Sequence, residues 1–213
     1  MIKEVCNSEK EIFPYIARVP SKMHDKMPLI LQLHGAGERG NGSDSVINAV
    51  EKNGFSHIFT DDAEIDCVLV QPQCRADSFW VAHIQEIKIF IEQLVKKYNI
   101  DEDRIYLTGL SMGGYGTWYT ASAFPDMFAA IAPVCGGGMP WFAGALKMPV
   151  WAFHGKEDTV VLPSNSIDMI DVLRKGGKRD DVKFTLSEGI GHNEWDVAYK
   201  EELLEWLLAQ KKK

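Results

Sequence analysis

The sequence predicts an α/β protein whose central sheet is mainly parallel and covered by helices on both faces. Three observations carry this. Short, nearly continuous apolar runs recur along the chain, as expected of strands buried on both sides. A turn follows most of them, and segments with apolar residues at helical spacing alternate with the runs. No repeat, low-complexity stretch or Pro/Gly/Ser linker divides the 213 residues, so one domain over 1–213 is expected.

The elements follow in order. Leu29–Leu33 reads as a strand ending at His34-Gly35-Ala36-Gly37, and Cys67–Val70 as a second ending at Gln71-Pro72. Ile84, Ile87, Ile91, Leu94, Val95 and Tyr98 then form one apolar stripe on a helix. Arg104–Thr108, Ala129–Val134 and Val150–Phe153 are the third, fourth and fifth strands. Pro163-Ser164 opens a helix carrying Ile167, Ile170 and Leu173, closed by Gly176-Gly177. Val182–Leu186 is the sixth strand, and one last helix carries Tyr199, Leu203, Trp206 and Leu207.

Composition narrows the function classes. The chain is 46% hydrophobic and carries a net charge of −7, so it lacks the basic excess that nucleic-acid or anionic-membrane partners require. The one basic run, Lys211-Lys212-Lys213, reads as a frayed, solvated tail. No apolar stretch approaches the roughly 20 residues that span a bilayer. The first residues run into charges without an apolar centre, which implies a cytoplasmic chain as written, or a secreted one if it is a mature or excised domain. Cys6, Cys67, Cys74 and Cys135 do not form a metal-type pair. Cys67 and Cys74 read as separate buried thiols, with a bridge in an oxidising compartment as the alternative.

In a parallel sheet the chemistry gathers beyond the carboxyl ends of the strands. There, directly after the third strand, Gly109-Leu110-Ser111-Met112-Gly113 fits a sharp strand-to-helix turn that exposes a serine hydroxyl. A serine hydroxyl is a weak nucleophile at neutral pH and needs a base oriented by a carboxylate. His154 and His192 are the histidines that follow Ser111. His154 ends a strand and is expected to brace its tip, whereas His192 lies in a glycine-flanked loop after the last strand and is the expected base. The carboxylate should come from the turn after the fifth strand, and Asp158 is chosen with Glu157 as its solvated neighbour. Asp168, Asp171, Asp180 and Asp181 read as surface charges, and Asp196 as an N-cap of the last helix. A tetrahedral oxyanion needs donors, expected to be the backbone N–H groups of Met112 and Ala36. Glu38 and Arg39 would pair at the cleft rim or hold the loop.

Leu33–Gly40, Gly109–Gly114, His154–Asp158 and Gly191–Trp195 together resemble α/β-hydrolase-fold serine carboxylesterases. The similarity runs from about Pro28 to Tyr199 and is nearest to feruloyl and acetylxylan esterases and polyhydroxybutyrate depolymerase-like proteins. The resemblance implies that fold, a Ser111–Asp158–His192 triad, an oxyanion hole of the Ala36 and Met112 amides, and no cofactor or metal. Polyester depolymerases of the group often carry cysteine where Ala36 stands, which weighs against that substrate.

The segment between the fourth and fifth strands is too short for a substantial cap, so an open cleft is expected. Trp141 and Phe142 within it either line a subsite or pack the loop. Trp80, in Ser78-Phe79-Trp80, either forms a second wall or joins the core, and Trp195 is expected to anchor the His192 loop rather than touch substrate. His83 and Glu86 lack a third metal ligand. The expected activity is hydrolysis of short-chain or aromatic carboxylic esters, including carbohydrate-linked ones, through an acyl-enzyme. A serine peptidase or thioesterase with the same triad, and a non-catalytic binding module, are the alternatives.

Overall fold

The computed structural model describes residues 1–8, 10–175 and 179–212. Eight strands form one sheet: β1 (Ile2–Cys6), β2 (Tyr15–Val19), β3 (Met27–Leu33), β4 (Val68–Pro72), β5 (Ile100–Leu110), β6 (Ala130–Val134), β7 (Val150–Gly155) and β8 (Val182–Ser187). Their spatial order is β1-β2-β4-β3-β5-β6-β7-β8. Six of them run parallel, and β1 and β2 add an antiparallel edge on β4 that the apolar-run reading did not include.

The inner strands are buried on both faces, which is why β3, β4, β6 and β7 are largely apolar. Leu29, Leu31 and Leu33 of β3 face one core while Ile30 faces the other, and Val68 and Val70 of β4 alternate with Leu69 in the same way. On the first face pack α1 (Ile84–Tyr98), α2 (Met112–Ala123) and α4 (Ser164–Lys175). Helix α1 buries Ile87, Phe90, Ile91, Leu94 and Tyr98 along one stripe, and ends where Asn99 turns left-handed at φ 49°. The second face is covered by α6 (Glu201–Leu208) through Leu203, Leu204 and Leu207, and by the Phe55–Phe59 segment.

Three expectations change here. The last helix is two helices, α5 (Trp195–Ala198) and α6, because Lys200 adopts an extended conformation while Tyr199 is drawn in to Thr108, its hydroxyl 3.1 Å from the threonine oxygen. Asp196 is no N-cap. It lies inside the first turn of α5 and accepts a hydrogen bond from Asn193 at 3.1 Å. The basic tail is tied down rather than frayed: the Lys212 amide donates to the Asp103 carbonyl at 3.0 Å, and the Lys211 ammonium lies 3.7 Å from Asp101. The Gly176-Gly177 closure and Lys213 lie outside the described residues.

The topology locates the crevice. The connection after β3 leads to β4 on one side, whereas the connection after its other neighbour, β5, leads to β6 on the opposite side. Between such strands the two outgoing loops part and leave a cleft at their carboxyl ends.

Candidate active site

Ser111 is the single residue between β5 and α2, and it is held at φ 53°, ψ −115°. This conformation is unfavourable for a residue with a Cβ and is maintained from both sides. The Ser111 amide donates to the Val134 carbonyl at 2.9 Å, and its carbonyl accepts from the Tyr115 amide at 3.1 Å. The tight turn also needs Gly113, where a Cβ would stand 2.0 Å from the Leu33 carbonyl oxygen. Met112, as the first residue of α2, presents an N–H that has no acceptor within its own helix.

The strand tips of β7 and β8 bring Asp158 and His192 to this serine. The Lys156 amide donates to the Ser187 carbonyl at 2.9 Å and the Glu157 amide to the Ile190 carbonyl at 3.0 Å, which joins the two loops. His192 Nδ1 lies 2.7 Å from Asp158 Oδ2, and Nε2 lies 2.8 Å from Ser111 Oγ. A carboxylate only accepts, so Nδ1 carries the proton and Nε2 is left to accept from the serine. Burial alone would raise the Asp158 carboxyl, yet the His192 hydrogen bond and the amides of Val161 and Val160 hold it below its ordinary value. Trp195 packs edge-on against the His192 ring at 5.3 Å.

His154 braces the strand tip. Its Nδ1 pairs with Ser166 Oγ at 2.7 Å and its Nε2 donates to the Val161 carbonyl at 2.9 Å. Glu157 is exposed, while Asp158 is buried.

Opposite the serine, Ala36–Glu38 form a short 3-10 turn after β3. A Cβ placed on Gly35 would stand 3.7 Å from the Ser111 Cβ, so the loop passes directly beside the serine. His34 beneath it is buried and pushed down to about 4 by desolvation. Its neutral ring donates from Nδ1 to the Gly35 carbonyl at 2.5 Å and accepts from the Cys74 amide at 2.9 Å. Glu38 and Arg39 do not pair with each other. Arg39 donates to the Ala36 carbonyl at 2.9 Å, and Glu38 accepts from Asn53 at 3.0 Å. Each holds the loop separately.

A cavity of about 460 Å³ opens at Ser111, lined with it by Phe79, Val81, Met112, Tyr115 and Tyr119. This corrects the expected pocket residues. Trp80 is fully buried in the core, and its indole N–H donates to the His34 carbonyl at 2.9 Å. Its neighbours Phe79 and Val81 reach the cavity instead. Trp141 is 87% exposed and Phe142 53% exposed on the one-turn helix α3 (Pro140–Ala143), and neither lines the cavity. The polar tip of an indole and the pull of a loop segment do not reveal which way the side chain turns. Tyr115 and Tyr119 were not anticipated, although their spacing of three and seven from Met112 places all three on one face of α2.

Cys135 Sγ, an Asp158 oxygen and a His192 nitrogen lie within 4.8 Å of one another, the one such group among the described residues. The set does not fit a metal ion. Burial pushes the Cys135 thiol up, and both Asp158 oxygens and both His192 nitrogens are already engaged.

The family model described as "Putative esterase" matches residues 21–188. The chain belongs to this esterase family. Among curated esterase relatives, the bifunctional acetylxylan esterase/xylanase XynS20E of Neocallimastix patriciarum is 33% identical over 153 residues, 67% of this chain and 21% of the relative. Feruloyl esterase B of Piromyces equi is 27% identical over 158 residues, 67% of this chain and 28% of the relative. The chain thus spans about a quarter of the length of these two relatives. The crystal structure of a thermostable esterase superposes with a TM-score of 0.80 at 33% identity, covering 99% of this chain and 63% of that one. The α/β-hydrolase fold is shared with that esterase structure.

Proposed function

We propose that this esterase-family chain is a serine carboxylesterase that works through an acyl-enzyme. The observation that carries the reading is His192, which bridges Ser111 at 2.8 Å and Asp158 at 2.7 Å. His192 Nε2 takes the Ser111 proton as Oγ bonds to the ester carbonyl carbon, and Asp158 holds the resulting imidazolium in place. The amides of Met112 and Ala36 receive the developing oxyanion. The carbon–alkoxy bond then breaks, and His192 returns its proton to the departing alcohol. Water repeats the sequence: His192 removes one of its protons, the hydroxide adds to the acyl carbon, and Ser111 Oγ leaves with the proton from His192. One ester and one water give one acid and one alcohol.

The apolar and aromatic lining of the cavity at Ser111 suits a short or aromatic acyl group. Acetylxylan and feruloyl esterases among the relatives support acetyl and feruloyl esters, including carbohydrate-linked ones, as substrates.

The test compares wild type with Ser111→Ala on nitrophenyl esters of increasing chain length, methyl ferulate, acetylated xylan and a peptide amide. Ester turnover should fall about 10⁴–10⁶-fold in the variant. Ester turnover unchanged in Ser111→Ala would overturn the assignment, and faster cleavage of the amide than of the esters would make the chain a peptidase.

A further inference from the structure

A second cavity, of about 260 Å³, shares no lining residue with the first. It lies between the 51–57 segment and the loop that follows His192, with Lys52, Asn53, His57, Trp195 and Lys200 among its walls. We propose that this cavity is the leaving-group subsite and that it reads the hydroxyl groups of a sugar. The proposal rests on the serine-esterase reading above and extends it from the chemistry to the way the substrate is divided.

The orientation follows from the proton's path. The alcohol oxygen must come within hydrogen-bond reach of His192 to be protonated as it leaves. Trp195, a wall of the second cavity, is the residue that packs against the His192 ring at 5.3 Å. The first cavity instead includes Ser111 and Met112, where the acyl carbon is bonded and its oxyanion received. An ester bound across the site therefore directs its acyl part to the apolar cavity and its alcohol towards the polar one.

The walls match an alcohol rich in hydroxyls. His57 donates from Nδ1 to the Gly54 carbonyl at 2.8 Å, so its Nε2 remains an acceptor. Asn53 uses its amide N–H on Glu38, which leaves its carbonyl oxygen to accept. The ammonium groups of Lys52 and Lys200 are donors without an ion-pair or hydrogen-bond partner among the described residues. Glu51, at the same mouth, is already held by Arg18 and Lys3. Donors and acceptors thus stand free beside an aromatic wall, and a hydroxyl uses both. The link from Asn53 to Glu38 also ties this cavity to the loop that carries Ala36.

The test uses two acetate esters, of ethanol and of xylose, with wild type, Ser111→Ala and a His57→Ala/Lys200→Ala double variant. His57 and Lys200 are both exposed, and a thermal melt of the double variant checks that it folds. Wild type should prefer the xylose ester about tenfold or more in kcat/KM, the worth of one or two net hydrogen bonds, and the double variant should lose that preference. Free xylose should also inhibit wild type more strongly than the double variant. No preference in wild type, or one that survives the double substitution, overturns the subsite. Failure to hydrolyse either ester, or hydrolysis that persists in Ser111→Ala, overturns the underlying esterase reading instead.

Discussion

The carbonyl oxygen of Gly191 occupies the space beside Gly155 so closely that a Cβ on Gly155 would stand 2.1 Å from it. This contact is the seam along which the loop bearing His192 settles onto the tip of β7. Gly155→Ala must push the His192 loop outward by about 1 Å or more, and a displacement of that size costs about 100-fold in turnover. The matching control is Gly144→Ala, where nothing lies within 4 Å of the added methyl. Ester hydrolysis by the two variants, measured beside their melting curves, separates loop displacement from loss of fold. Equal activity would show that the seam does not position the base.

Asp158→Asn should lower kcat about 10⁴-fold, because an asparagine no longer fixes the His192 tautomer that accepts the serine proton. Glu157→Gln, altering an exposed neighbour, should stay within about twofold of wild type. Steady-state kinetics on one nitrophenyl ester decide between them, and a crippled Glu157→Gln would move the carboxylate role by one residue.

Glu194 gives the protein a pH-dependent liability. Its side chain is buried two residues after His192, one oxygen accepts from Ser187 at 2.7 Å and the other has no partner among the described residues. Desolvation raises its carboxyl from 4.5 to about 7. Between those values the folded state binds the proton more tightly than the unfolded one, so this group's contribution to stability falls as pH rises from about 4.5 through 7. Glu194→Gln should therefore gain on wild type between pH 5 and pH 8, by up to about 3 kcal/mol. Urea unfolding at both pH values measures the gap, and a gap that does not change with pH would show that the acid is not held neutral.

His34 works in the opposite sense. Its folded-state value of about 4 lies below the ordinary 6.5, so its contribution is complete above pH 6.5 and is lost as pH falls towards 4. In His34→Gln the fall in stability over that window should be shallower than in wild type, even though the variant is less stable overall. Parallel pH profiles in urea would mean that the imidazole is not forced to stay neutral.

Tyr119→Ala removes an aromatic wall of the cavity at Ser111. The kcat/KM for methyl ferulate should drop about three- to tenfold relative to that for an acetate ester, the worth of one aromatic contact. A uniform effect on both esters would mean that the tyrosine does not read the acyl group.

The strands and the serine turn were legible because their causes are local. Buried parallel strands must be apolar along their length, as in Leu29–Leu33, and the turn at Ser111 admits only very small neighbours such as Gly113. Asp158 and His192 were legible from chain order and from the glycines that frame them. Trp80 was not, because burial of an indole depends on which loop closes over it: here the His34 carbonyl receives its N–H inside the core. Trp141 and Phe142 failed for the converse reason. They sit in an apolar-looking loop whose single helical turn leaves both side chains in solvent.

By itself, then, the sequence pointed to the parallel strands, the serine turn and Asp158 and His192 as candidate partners of that serine, since each follows from residue type and spacing along the chain. Tertiary structure decided how far apart those groups stand and which aromatics reach them. His192 meets Ser111 at 2.8 Å across 81 residues of chain, and the 51–57 segment comes to share a cavity with Trp195. Such contacts arise only when both faces of the sheet are packed, because packing, rather than local preference, sets the direction in which a loop side chain points.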